Sequence, residues 1–191
     1  MYSVSRYTLI PHLQKALHQH QSHLFQRYSK ILMIRTDFHW REDSERYIYE
    51  DEHQFSRDMS ILMLRLSKYP GVIGYAWVLE EAPDRGLHAH AVIYVDGQRH
   101  CKKWDFNQRM NMLWETITEG EGYLYHCTDN KQYRADISKP IHFDDKRGKR
   151  AMRYVVNYLA KYEQKGVKPI YHLSTPPTEK RIGRPRKSSS S

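Results

Sequence analysis

The chain has few cysteines, no long apolar run and, over its last quarter, almost no acids. Cys101 and Cys127 are the only two cysteines among 191 residues, and they form no Cys-x-x-Cys pair. They read as reduced cytosolic thiols, not as a disulfide framework. No apolar stretch approaches the roughly 20 residues of a bilayer span. Met1 to Arg6 is followed by no apolar signal region, so neither export nor membrane insertion is expected. A chain of this length is expected to form one domain, and 39% hydrophobic residues suffice for its core.

The net charge of +9 is unevenly placed. Residues 146–191 carry thirteen Lys and Arg against two acids, whereas residues 1–145 carry eighteen basic residues against twenty acidic ones. All the net positive charge therefore sits in the last quarter. That asymmetry favours a polyanionic partner, of which a phosphate backbone is the usual one. A solvated basic tail is the plainer alternative.

The pattern of apolar residues alternates between helix and strand periods. Residues 13–28 read as a helix with Pro11 at its start. They are rich in His and Gln and weakly patterned, so residues 1–29 are taken as an N-terminal helical extension. Residues 31–37 have the length of a buried strand. Phe55, Met59, Leu62, Met63 and Leu66 give residues 51–68 a helical stripe, stopped by Tyr69-Pro70-Gly71. Residues 72–80 and 87–95 read as strands joined by the turn-forming Ala82-Pro83-Asp84-Arg85-Gly86, and so as a hairpin. A helix over 106–117, strands over 122–126 and 135–143, a helix over 150–165 and a short strand over 170–173 follow. The order β-α-β-β-α-β predicts an α+β fold, a ferredoxin-like antiparallel sheet of about five strands with helices on one face. The domain is placed at 30–173. Residues 174–191 are Ser-, Thr-, Pro- and Lys/Arg-rich and are expected to form a disordered basic tail.

Two groups of residues point to chemistry. His88-Ala89-His90 places two imidazoles at i and i+2, on one face of a strand, where both can reach one ion. A carboxylate lies across the hairpin in Glu80 or Glu81. Glu80 is preferred, because it shares a face with Ala76 and Val78; a bulge would select Glu81 instead. Two His and one carboxylate leave positions open for substrate and suit Mg²⁺ or Mn²⁺ at a phosphate. On the last helix, Tyr154, Tyr158, Lys161, Tyr162 and Lys165 are expected within one arc, opposite Met152, Val155, Val156 and Leu159. A phenol beside a lysine is a potential nucleophile. A tyrosine stripe packed on the sheet, with snorkelling lysines, competes with that reading.

In this order the elements resemble an HUH endonuclease, the class that initiates rolling-circle DNA replication. Residues 31–37 resemble its first motif. Glu80 with His88-Ala89-His90 resembles its metal motif, although Ala89 is small where the class has a bulky apolar residue. Tyr158-Leu159-Ala160-Lys161-Tyr162-Glu163-Gln164-Lys165 resembles its two-tyrosine motif. Arg35-Thr36-Asp37-Phe38-His39-Trp40 and Tyr158-Leu159-Ala160-Lys161 are also similar to the replication proteins of filamentous phages and their prophage relatives. The resemblance implies site-specific nicking and joining of single-stranded DNA or an origin hairpin, in the cytoplasm of a bacterial host and beside its replication machinery. It implies a divalent ion on Glu80, His88 and His90. Tyr158 would be the principal nucleophile, Tyr162 a second one, and Lys161 would steady the phosphate or phenolate. Lys165, Arg184, Arg186 and Lys187 are the expected DNA contacts. A DNA-binding accessory or repressor protein without chemistry, and an HUH transposase or relaxase, are the competing functions.

Arg181-Ile182-Gly183-Arg184-Pro185-Arg186-Lys187 resembles an AT-hook, with Arg184 entering the minor groove; a plain basic tail is the alternative. Truncation after Leu173 removes Lys180, Arg181, Arg184, Arg186 and Lys187 against one acid, Glu179. Duplex affinity should fall and its salt slope should shrink, by about 0.9 for each phosphate that the tail neutralises. An unchanged salt slope in the truncated protein would show the tail to be idle.

Overall fold

The computed structural model describes residues 8–127, 135–163, 165 and 168–175. Three strands of eleven residues form the heart of the sheet: β1 (Lys30–Trp40), β2 (Val72–Ala82) and β3 (Gly86–Asp96). With β4 (Gly122–His126) and β6 (Tyr171–Leu173) they give the antiparallel order β4-β1-β3-β2-β6, and β5 (Ile141–His142) pairs with the start of β1. Helix α3 (Glu52–Ser67) joins β1 to β2, and α4 (Trp104–Ile117) joins β3 to β4. The fold is therefore α+β with the split β-α-β arrangement expected from the sequence.

Side-chain alternation gives the sheet two dissimilar faces. Leu32, Ile34 and Phe38 of β1, Trp77 and Leu79 of β2, and Ala89, Ala91 and Ile93 of β3 meet α3 and α4 in one apolar core. Ile31 and Met33, Ala76 and Val78, and Val92 and Tyr94 form a second core on the other face. The hairpin between β2 and β3 closes through Pro83, Asp84 and Arg85. Gly86 there has φ of +61°, and a Cβ would run into the ring of Tyr47.

Several expectations are corrected. Helices cover both faces of the sheet, not one. The second face is covered by α1 (Pro11–Arg27) and α5 (Lys146–Leu159). Helix α1 is thus part of the core and not an appendage to it. Leu13, Leu17 and Leu24 are fully buried, each contributing on the order of 2 kcal/mol. Their stripe is interrupted by His20 and Gln21, which are buried too, and so the helix looked weakly patterned. Of the strand expected at 135–143, only Ile141–His142 forms. β1 runs on to Trp40, and a short α2 (Glu45–Tyr49), capped by the Ser44 hydroxyl, follows it.

The last helix stops at Leu159, six residues before the expected end. The Ala160 carbonyl accepts from the Ile10 amide, Lys161 bridges to Leu9, and the Tyr162 amide donates to the Thr8 carbonyl. The chain leaves the helix to pair with the segment before α1. Among the described residues no helix is long and apolar enough to cross a membrane.

Burial of His20 under Ser174 and Tyr94 lowers its pKa from the ordinary 6.5 to about 4. The neutral form is favoured in the fold, so its contribution is complete above pH 6.5 and is lost as the pH falls from about 6.5 through about 4. The loss is up to about 3 kcal/mol. His20→Gln should flatten the difference in denaturation midpoint between pH 7 and pH 4; an unaltered pH profile would contradict this.

Candidate functional site

The face covered by α1 and α5 changes character toward the β2–β3 turn. On β1 the series Ile31, Met33 becomes Arg35, Asp37, His39. On β3, Tyr94 and Val92 give way to His90 and His88, and on β2, Ala76 and Val78 give way to Glu80. The register sets Glu80 directly opposite His88, His88 opposite His39, and His90 opposite Asp37. Glu80 and not Glu81 faces the histidines; Glu81 is exposed on the opposite face.

Glu80, His88 and His90 are each at most 1% exposed, and their ligand atoms lie within 4.8 Å of one another. Nε2 of His90 is 3.2 Å and Nε2 of His88 is 3.8 Å from Oε2 of Glu80. The far side of each ring is fixed. His88 Nδ1 lies 3.0 Å from the Gly86 carbonyl, and His90 Nδ1 lies 2.7 Å from Asp37 Oδ1. A proton on each Nδ1 satisfies these acceptors, and each Nε2 is turned inward toward Glu80, where it donates when protonated and can ligate a cation when it is not. Those two nitrogens are buried without a hydrogen-bond partner, and the buried Oε2 of Glu80 lies 3.1 Å from Nζ of Lys161. One carboxylate oxygen and two imidazole nitrogens, converging in this way, fit a divalent cation.

The charges support that donor set. Burial opposes ionisation of Glu80, but His90 and Lys165 outweigh it and hold the carboxyl at about 2. Burial would also raise Asp37, yet His90 and Arg35 bring it below the usual carboxylate range. Burial lowers His88 and therefore favours its neutral, ligating form. His39 is held at about 4 by burial and by neighbouring His88.

The lysines and tyrosines are divided by the early end of α5. Lys161 donates to the Tyr158 hydroxyl at 3.1 Å and also lies 3.1 Å from Oε2 of Glu80. Burial works against its charge, but Tyr158 and Glu80 raise its pKa. Lys165, expected to contact DNA, is instead buried and ion-paired with Oε1 of Glu80. Burial lowers its pKa despite that partner. The Tyr158 ring sits against His90, with centroids 5.0 Å apart, and beneath the Arg35 guanidinium at 4.3 Å. Tyr162 is 62% exposed, and no hydrogen bond joins its hydroxyl to the cluster; Tyr154 is 53% exposed. Of these three tyrosines, Tyr158 alone reaches the site. Arg184, Arg186 and Lys187 lie outside the described residues.

Arg35, Asp37 and His39 were not singled out as site residues from the sequence. Their signal was present as three polar side chains at alternate positions of one strand, continuing a buried apolar series. Compared with protein-family models, curated proteins and solved structures, the chain has no match in any of the three.

Calorimetric titration with Mn²⁺ checks the donor set. His88→Ala should abolish binding. Asp37→Asn, which removes only the charge orienting His90, should weaken it by about 10- to 100-fold. Glu81→Gln should leave it unchanged, and binding that survives His88→Ala at full strength would contradict the assignment.

Proposed function

We propose that this chain nicks and rejoins single-stranded DNA through a 5′-phosphotyrosine on Tyr158, the chemistry of the HUH endonucleases that start rolling-circle replication. The observation that carries the reading is Lys161. One ammonium group touches both the Tyr158 hydroxyl and the Glu80 carboxylate, so the phenol stands one side chain away from a buried cation-binding set.

Each residue has a role that its surroundings support. A free phenol ionises only near pH ~10 and is a weak nucleophile. The Lys161 ammonium stabilises the phenolate directly. Arg35 lies over the ring and against Asp37, and it fixes the orientation of the phenol. A divalent ion on Glu80, His88 and His90 supplies Lewis-acid polarisation of the scissile phosphate when bound. In the transfer, the Tyr158 oxygen forms a bond to phosphorus and the bond to the 3′ oxygen breaks. The phenol proton passes to solvent, and the departing 3′ oxygen takes up one. One phosphodiester replaces another, so the reverse attack by a 3′-hydroxyl rejoins the strand.

The position of Tyr162 bears on which use the chemistry serves. Two tyrosines one helical turn apart would favour a replication initiator over a one-tyrosine transposase or relaxase. With Tyr162 off the helix and exposed, that preference rests on the motif order alone. Nicking and joining is the part of the reading the geometry supports.

Incubation with labelled single-stranded oligonucleotides and Mn²⁺, followed by denaturing gels, tests it. The wild type should give a protein–DNA adduct that Tyr158→Phe abolishes without loss of folding or DNA binding. Tyr162→Phe should give the same adduct yield as the wild type. An adduct mapped to Tyr154 would displace the nucleophile by one turn, and DNA binding with no adduct at all would favour a protein that binds DNA without cutting it.

A further inference from the structure

The column of rings that begins at His88 continues beyond the candidate metal set. His39 lies parallel to His88, 5.2 Å away with planes 4° apart, and Tyr123 lies parallel to His39 on its other side, 4.8 Å away with planes 12° apart. Strand β4 explains the alignment. Its register sets Tyr123 opposite His39 and Tyr125 opposite Asp37, so both tyrosines project on the site face. Exposure rises along the series, from a fully buried His88 and a 4% exposed His39 to 37% at Tyr123 and 58% at Tyr125.

The fold does not need two large rings there. Leu124, between them, is the residue of β4 that packs against the α3–α4 core. β4 is an edge strand, and beyond it no further strand pairs among the described residues. Arg41 and Arg85 lie close enough to Tyr123 to act on it electrostatically, beside Glu42. Aromatic faces at a sheet edge, with arginines near them and a phosphate-handling site behind them, match one kind of occupant. That occupant is a strand of unpaired nucleobases, each of which offers a π-face. A duplex does not fit, because its bases are already stacked on one another.

We propose that Tyr123 and Tyr125 form a stacking platform for the unpaired bases next to the scissile phosphate. The platform rests on the reading of the site as one that acts on single-stranded DNA. It extends that reading by placing the strand's course along β4, where a single strand would be favoured over a duplex.

Fluorescence anisotropy with fluorescein-labelled oligothymidylate in EDTA reads binding without cleavage. Tyr125→Ala changes an exposed side chain and leaves the core intact. It should weaken binding by roughly 5- to 100-fold, and Tyr123→Ala with Tyr125→Ala by more. Tyr123→Phe with Tyr125→Phe should restore wild-type affinity. An abasic strand of equal length should bind the wild type and the alanine variants equally. Oligothymidylate binding unchanged in the double alanine variant overturns the platform. Stacking-dependent binding by a wild type that never forms an adduct keeps the platform and removes the nicking chemistry. A wild type that binds no single strand overturns both.

Discussion

Glu80 is a carboxylate held ionised in the interior, and the arrangement around it follows from the need to compensate that charge. A buried, unpaired carboxylate costs several kcal/mol, so it must gather positive or hydrogen-donating partners. His88 and His90 come from the neighbouring strand through the hairpin register. Lys161 and Lys165 come from beyond α5. To deliver them, the chain ends its helix at Leu159 and drops toward the sheet, where pairing with Thr8, Leu9 and Ile10 secures the new direction.

That geometry ties the nucleophile to the carboxylate. Lys161 divides its donors between Glu80 and Tyr158, so any change of charge at Glu80 is felt at the phenol. Arg35 and Asp37 make a second link, since Asp37 orients His90 while Arg35 covers the Tyr158 ring. The tyrosine is thereby coupled to the donor set from two directions, although it donates nothing to that set itself.

Much of this was legible in the sequence where the period of the structure was regular. Strand alternation put His88 and His90 on one face and set Glu80 and Glu81 on opposite faces, and the neighbours Ala76 and Val78 favoured Glu80 as the one beside the histidines. The Phe55, Met59, Leu62, Met63 and Leu66 stripe gave α3 to within a residue at each end. Legibility failed where side chains on a regular element serve the site and not the core. Asp37 and His39 break the apolar run of β1, and so the strand seemed to end at residue 37. His20 and Gln21 interrupt the buried stripe of α1, and so its part in the core was hidden. The end of α5 was illegible for another reason. Residues 160–165 have a helical pattern, and the tertiary pull of Glu80 and of the segment before α1 overrides it.

The central claim is that Glu80, His88 and His90 form a cation site beside Tyr158. Anomalous diffraction from crystals grown with Mn²⁺ tests it most directly. The account requires a single strong peak shared by Oε2 of Glu80 and Nε2 of both histidines, with Lys161 shifted from that oxygen but still at the Tyr158 hydroxyl. No peak at those atoms, with both lysines still holding Glu80, would mark the cluster as a buried ion-pair network and contradict the account.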